Sequence, residues 1–147
     1  MRNSKYALIF IALFTTEVNA EQCEAKLPDS SIYTGECKDE LFNGQGKLVW
    51  SDGTYYEGEF IDGLLHGQGK YVHTTGWSSE GTYYKGSLTG NGIHINPTIG
   101  TYEGEFKNDQ FHGNGTFINI HGDKWLVHIK TASSMERLLV STETAPK

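Results

Sequence analysis

Glu57 and Glu59 stand two residues apart, and Glu103 and Glu105 repeat the pair; Glu36 and Glu80 are partial copies. On a strand, residues two apart share a face, so each pair sets two carboxylates side by side. Paired carboxylates roughly 5 to 9 Å apart can hydrolyse glycosides. That chemistry also needs two unlike environments, one of which raises a pKa. Glutamates that recur in the same setting opposite Lys47 and Lys70 offer no such difference. They read as a solvated outer face.

The other reactive side chains form no constellation either. His66 and His112 occupy equivalent positions two 23-residue units apart. At two strands per unit that is roughly 19 Å, from about 4.8 Å per strand. Zinc binds nitrogen at about 2.0–2.1 Å, so one ion cannot hold both. His73, His94, His121 and His128 show no ligand spacing. No G-x-S-x-G is present, and neither cysteine sits in a recognisable catalytic setting. Gly67-Gln68-Gly69-Lys70 lacks the spacing of a phosphate loop. The sequence therefore assigns no catalytic residue, no metal site and no cofactor.

The glycines around these groups belong to a repeat. YTGECKDELFNGQG from Tyr33, YEGEFIDGLLHGQG from Tyr56, SEGTYYKGSLTGNG from Ser79 and YEGEFKNDQFHGNG from Tyr102 align at a period of 23 residues. Three glycine columns hold in all four units: Gly35/Gly58/Gly81/Gly104, Gly44/Gly67/Gly90/Gly113 and Gly46/Gly69/Gly92/Gly115. A fourth reads Gly53, Gly76, Ile99 and Gly122, with Gly100 one place late. A fixed period in this range marks a repeat architecture.

Each unit reads as a hairpin. Tyr56, Gly58 and Phe60 alternate with Glu57 and Glu59, the period-two pattern of a half-buried strand. Ile61 to His66, containing Asp62-Gly63, is expected to turn. Gly67, Gly69, Tyr71 and His73 then alternate on a second strand. A glycine beside a large ring lets the ring lie flat over bare backbone. The rings fall in columns: Tyr33, Tyr56 and Tyr102; Phe60, Tyr83 and Phe106; and Leu48, Tyr71, His94 and Phe117. Core packing between neighbouring units is the stronger reading of these rings.

A period of 23 with Y-x-G-E-F, a short turn and H-G-x-G resembles the MORN (membrane occupation and recognition nexus) repeat family, over about Ile32 to Trp125. The resemblance implies an all-β fold: an elongated, twisted antiparallel sheet of consecutive hairpins with a shallow groove on one side. It implies protein association or self-assembly, and more weakly contact with phospholipid headgroups. Cys37 replaces the phenylalanine of the first unit, and Cys23 falls at the third glycine column one unit upstream. Residues 21–31 are thus expected to cap the first hairpin, as terminal repeats require. Unit three departs most, with Ser79 for tyrosine, Thr82 for glutamate, Thr89 for histidine, and Asn96-Pro97 where its second strand should end.

Residues 1–20 have a basic start (Arg2, Lys5), an apolar run from Tyr6 to Phe14 and Val18-Asn19-Ala20 at the end, the pattern of a cleaved secretory signal. Nine apolar residues are too few to span a bilayer. Export places the protein in the periplasm or outside the cell, and favours a Cys23–Cys37 disulfide over two free thiols. Without residues 1–20 the chain keeps 10 basic and 17 acidic residues, net −7 with histidine neutral. That charge repels nucleic acid and anionic lipid. At the other end, Trp125 stands in the tyrosine column, so Lys124 to Ile129 is expected as a lone closing strand within residues 126–147 and their approach. Ser133, Ser134, Met135 and Glu136 match a capping box for a short helix over the last edge, and Ser141 to Lys147 reads as a disordered tail.

The expected function is a non-catalytic module for a protein partner or a second copy of itself. Binding of cell-wall glycans or lipid headgroups is the alternative. The candidate contact residues are Tyr55, Trp77, Tyr83, Tyr84 and Lys85, aromatics and a cation where the repeat decays.

Overall fold

The structure, a computed structural model, describes residues 7–9 and 21–130. They form one open antiparallel sheet in strict chain order, with no helix. After β1 (Ala7–Ile9) and β2 (Glu21–Lys26) come four hairpins. These are β3 (Ile32–Lys38) with β4 (Leu41–Val49), β5 (Tyr55–Ile61) with β6 (Leu64–Val72), β7 (Ser78–Tyr84) with β8 (Ser87–Asn96), and β9 (Gly100–Lys107) with β10 (Gln110–Asn119). The last strand is β11 (Lys124–Ile129). Within the segment read as a signal, β1 pairs with β2 through Ala7, Leu8 and Ile9. The expected C-terminal helix and tail lie outside the described residues.

The hairpin turns are tighter than the sequence suggests. Only Asp62 and Gly63 turn between β5 and β6; Leu64, Leu65 and His66 are already paired. Both turn residues have positive φ, 51° and 82°. This is the two-residue turn whose twist matches that of the flanking strands. The length is recovered in a bulge: Gly58 faces Gly69 while Glu59 faces His66, so Gly67 and Gln68 stand extra on β6. Irregularities fall at the matching place in the other three hairpins.

One face carries the core. Tyr33, Tyr56, Phe60, Tyr83, Leu88, Tyr102 and Phe106 are all buried, although no second layer covers them among the described residues. They bury one another. A side chain added at Gly46, Gly69 or Gly115 would collide with the ring of Tyr33, Tyr56 or Tyr102, so these rings do lie on bare backbone. Between units the rings meet edge to face, Tyr33 with Phe60 at 5.0 Å and Tyr56 with Tyr83 at 5.0 Å, the arrangement that aromatic quadrupoles favour. Hairpin tips also reach the preceding unit: the N–H groups of Gly63, Gly86 and Asp109 donate to the carbonyls of Phe42, Leu65 and Leu88. The cap is fastened covalently by a Cys23–Cys37 disulfide across β2 and β3, Cα atoms 5.9 Å apart.

Candidate functional site: a ring-lined groove in the third unit

In three units the tyrosine column does two jobs. Its ring covers the glycine pair, and its phenol donates to backbone carbonyls. Tyr33 Oη donates to Glu36 O at 2.7 Å. Tyr56 Oη donates to Glu59 O and His66 O at 3.2 and 3.1 Å. Tyr102 Oη donates to Glu105 O and His112 O at 3.1 and 3.2 Å. Burial raises the pKa of all three phenols, with the neighbouring glutamate adding to the effect. They therefore stay protonated donors.

In unit three the same register position is Ser79, paired with Tyr71 on one side and His94 on the other. No side chain donates to the matching carbonyls of Thr82 and Thr89 among the described residues. Leu88 and Phe106 cover the unit's glycine pair, Gly81 and Gly92, and beside Ser79 the face opens into a groove of about 450 Å³. Around Ser79 it is lined by Tyr71, Trp77, Tyr83, Leu88, Phe106 and Phe111. Trp50 and His94 extend the lining, and Asp109 supplies its one carboxylate. Trp77 stacks on Tyr71 at 5.2 Å and on His73 at 5.0 Å, and tilts against His94 at 5.5 Å. His94 is fixed by a 2.8 Å hydrogen bond between its Nδ1 and Ser79 Oγ, and burial lowers its pKa. Asp109 Oδ1 accepts from the Leu88 N–H at 2.8 Å. Neighbouring units thus hold the groove rigidly.

The five residues singled out from the sequence do not form one site. Trp77 and Tyr83 line the groove. Tyr55 and Tyr84 point to the opposite face: Tyr55 lies under Lys47 at 4.3 Å, and Tyr84 beside His66 at 5.4 Å. Lys85 is in the β7–β8 turn with φ 50°. Sequence reasoning passed over Trp50, Asp109 and Phe111. The signal for them was the serine in a tyrosine column, which says that whatever surrounds position 79 borders an unfilled space.

The outer face modifies the reading of the glutamates. Glu57 pairs with Lys47 at 3.1 Å and Glu80 with Lys70 at 3.5 Å, both well exposed, so these pairs add little. Glu36, Glu59 and Glu105 have a backbone task as well as a solvated one. Each accepts the N–H of the residue after its bulge glycine: Gln45 at 3.1 Å, Gln68 at 2.9 Å and Asn114 at 2.9 Å. Thr82 cannot reach its bulge in this way and takes a hydrogen bond from Gln68 Nε2 instead. A second, polar groove of about 830 Å³ crosses this outer face past Glu80, Asn91, Glu103, Asn114 and Lys124. Among the described residues no three of His, Cys, Asp and Glu come together as metal ligands.

The fold and its groove define a single-sheet repeat protein built from consecutive hairpins. Three of its units are MORN repeats: the MORN repeat family model matches residues 33–55, 56–78 and 102–119. The unit it passes over, residues 79–101, is the one that carries Ser79 and the groove. No curated protein matches the chain significantly.

Proposed function

We propose that the protein is an exported, non-catalytic module that binds another protein, or itself, through the groove on its ring-bearing face. One observation carries this reading. Trp50, Tyr71, Trp77, His94 and Phe111 are only partly buried, and they line a groove that no described segment covers. Aromatic residues held rigid beside a few polar groups are typical anchors of protein contacts. Export is supported by the pattern of residues 1–20 and by the disulfide, which persists in oxidising compartments.

The test is crosslinking and affinity capture from the exporting cell, comparing the wild type with Trp77→Glu. The expected result is a defined complex with the wild type that the variant loses at least tenfold. Equal recovery by both proteins, or no complex with either, would overturn the reading. Mass spectrometry of the exported chain should show a mature N-terminus at Glu21; a retained Met1 there would remove the export part.

A further inference from the structure

The two ends of the sheet are incomplete in opposite ways. One period back from Leu48 is Ala25, so β2 stands where a unit has its second strand. One period on from Tyr102 is Trp125, so β11 stands where a unit has its first strand. The Leu27 N–H donates to Ser31 O, and the Asn119 N–H to Asp123 O. Backbone groups alternate in direction along an antiparallel strand. Cys23 and Ala25 therefore bond toward β3, and Trp125 and Val127 toward β10. Gln22, Glu24 and Lys26 on β2, and Lys124, Leu126 and His128 on β11, turn their backbone groups outward. Among the described residues no strand pairs with the outer edge of β11. The outer edge of β2 meets only the three residues of β1, which lie in the segment read as a cleaved signal. There Leu8 faces Ala25, so this edge takes a strand with an apolar residue opposite Ala25.

We propose that, once residues 1–20 are removed, the outer edge of β2 pairs with β11 of a second copy of this chain, completing across the contact the hairpin unit of which each end holds half. The complete units supply the register. Tyr33 faces Leu48, Tyr56 faces Tyr71 and Tyr102 faces Phe117. The same columns set Trp125 of one copy opposite Ala25 of the next, and Leu126 opposite Glu24. Outward backbone groups then meet outward backbone groups, and Trp125 and Val127 continue the inner face beside Cys23 and Ala25. Val127 and Cys23 stand where the other hairpins have a glycine pair, so Trp125 packs beside small side chains and not on bare backbone. β2 carries Glu21, Glu24 and Lys26, whereas β11 carries Lys124 with Lys130 next to it, so the two edges are of opposite net sign. Lys124 is diagonal to Glu24 and opposite Lys26, the one like-charged pair in this register. Each joint uses two unlike edges and leaves one free at either end, so copies add in a row. Before cleavage β1 holds the β2 edge, so assembly waits on export.

This inference rests on the export reading and not on the groove. The experiment is sedimentation velocity on the chain purified from its native compartment, with the disulfide intact and the N-terminus determined by mass spectrometry. Wild type should form species larger than a dimer as concentration rises. A chain that begins at Glu21 yet stays monomeric at several hundred micromolar overturns the joint, while export and any partner captured through Trp77 still stand; a cover over β11 supplied by residues 131–147 would give that result. A chain that keeps residues 1–20 overturns both. Leu126→Pro removes an outward N–H from β11 and spares its bonds to β10, and Glu24→Pro does the same on β2. Each variant alone should associate at least tenfold more weakly. Mixed together, they should form a one-to-one complex and nothing larger, because one intact β11 meets one intact β2. If the variants associate as well as the wild type, or their mixture stays monomeric, the proposal is wrong. Cysteines read the register without proline. Glu24→Cys mixed with Leu126→Cys should oxidise to a linked dimer at least tenfold faster than Glu24→Cys mixed with Thr82→Cys, since facing Cα atoms about 5.5 Å apart lie within disulfide reach. Equal rates would overturn the joint even where a proline variant fails to fold.

Discussion

Gly69 and Gly63 show how differently a glycine can matter. At Gly63 the space is open, and only the turn's positive φ is at stake. At Gly69 a methyl group would occupy the place of the Tyr56 ring. Overpacking of this kind costs about 1–3 kcal/mol, and displacing the ring also strands its hydroxyl from the carbonyls of Glu59 and His66. Gly69→Ala should therefore destabilise the protein by roughly 3 kcal/mol, near the upper end of that range. Urea unfolding checks this, and a loss below about 1 kcal/mol would mean that the ring moves freely. His94 gives a second test at this scale. Its half-buried ring is harder to protonate than a free imidazole of pKa 6.5. As pH falls, the unfolded chain takes up this proton first, so stability drops from about pH 6.5 downward. The drop ends once the folded His94 is protonated too. Asp29 and Asp52, held below their ordinary pKa chiefly by hydrogen bonds from Ser31 and Thr54, act in the same direction only in more acid solution. Unfolding midpoints measured between pH 7.5 and 5 should fall less steeply for His94→Gln than for the wild type.

At the scale of elements, each hairpin was legible as two strands and a turn, because alternation and glycine spacing are properties of neighbouring residues. The turn length was not. Asp62-Gly63 signals a two-residue turn by itself, but the following Leu64 to His66 looked like loop because the bulge at Gly67-Gln68 breaks the count. A bulge becomes visible only when a partner strand shows which residue has no opposite number. The glutamates follow the same logic: Glu59 faces solvent by parity, yet the bulge turns the Gln68 N–H toward it. The cap, in contrast, depends on a covalent bond. Cys23 and Cys37 are 14 residues apart, and closing such a loop removes about 3 kcal/mol of unfolded-state freedom. Reduction, or Cys23→Ala with Cys37→Ala, should lower stability by that order. Hydrogen exchange should quicken first in β2 and β3 and leave β9 to β11 little changed, since each strand hydrogen-bonds only with its neighbours in the sheet. Uniform acceleration along the sheet would show the cap to be coupled to every unit.

Across the whole molecule, a single open sheet holds together because its rings lie flat on backbone and seal one another. Tyr33 and Tyr56 reach complete burial in a single layer that way. The same construction gives the groove its meaning. Where three units lay a tyrosine over their glycines, unit three carries Ser79, Leu88 and Phe106 cover its glycine pair, and a groove lined by neighbouring rings opens beside Ser79. The five contact candidates were scattered for a related reason. Consecutive residues such as Tyr83 and Tyr84 must point to opposite faces, so a cluster in sequence is split in space.

The amino-acid sequence alone determined the period, the hairpins, the ring-on-glycine columns and the cysteine pair, since all of these follow from residue types at fixed spacing along one strand or its neighbour. Only the tertiary structure decided which space stays open, which glutamates serve the backbone, and that hairpin tips bond to the preceding unit. Those outcomes depend on register shifts and on packing between side chains 15 to 30 positions apart in the sequence, as for Ser79 with His94 and Tyr56 with Tyr83, and no local pattern carries them.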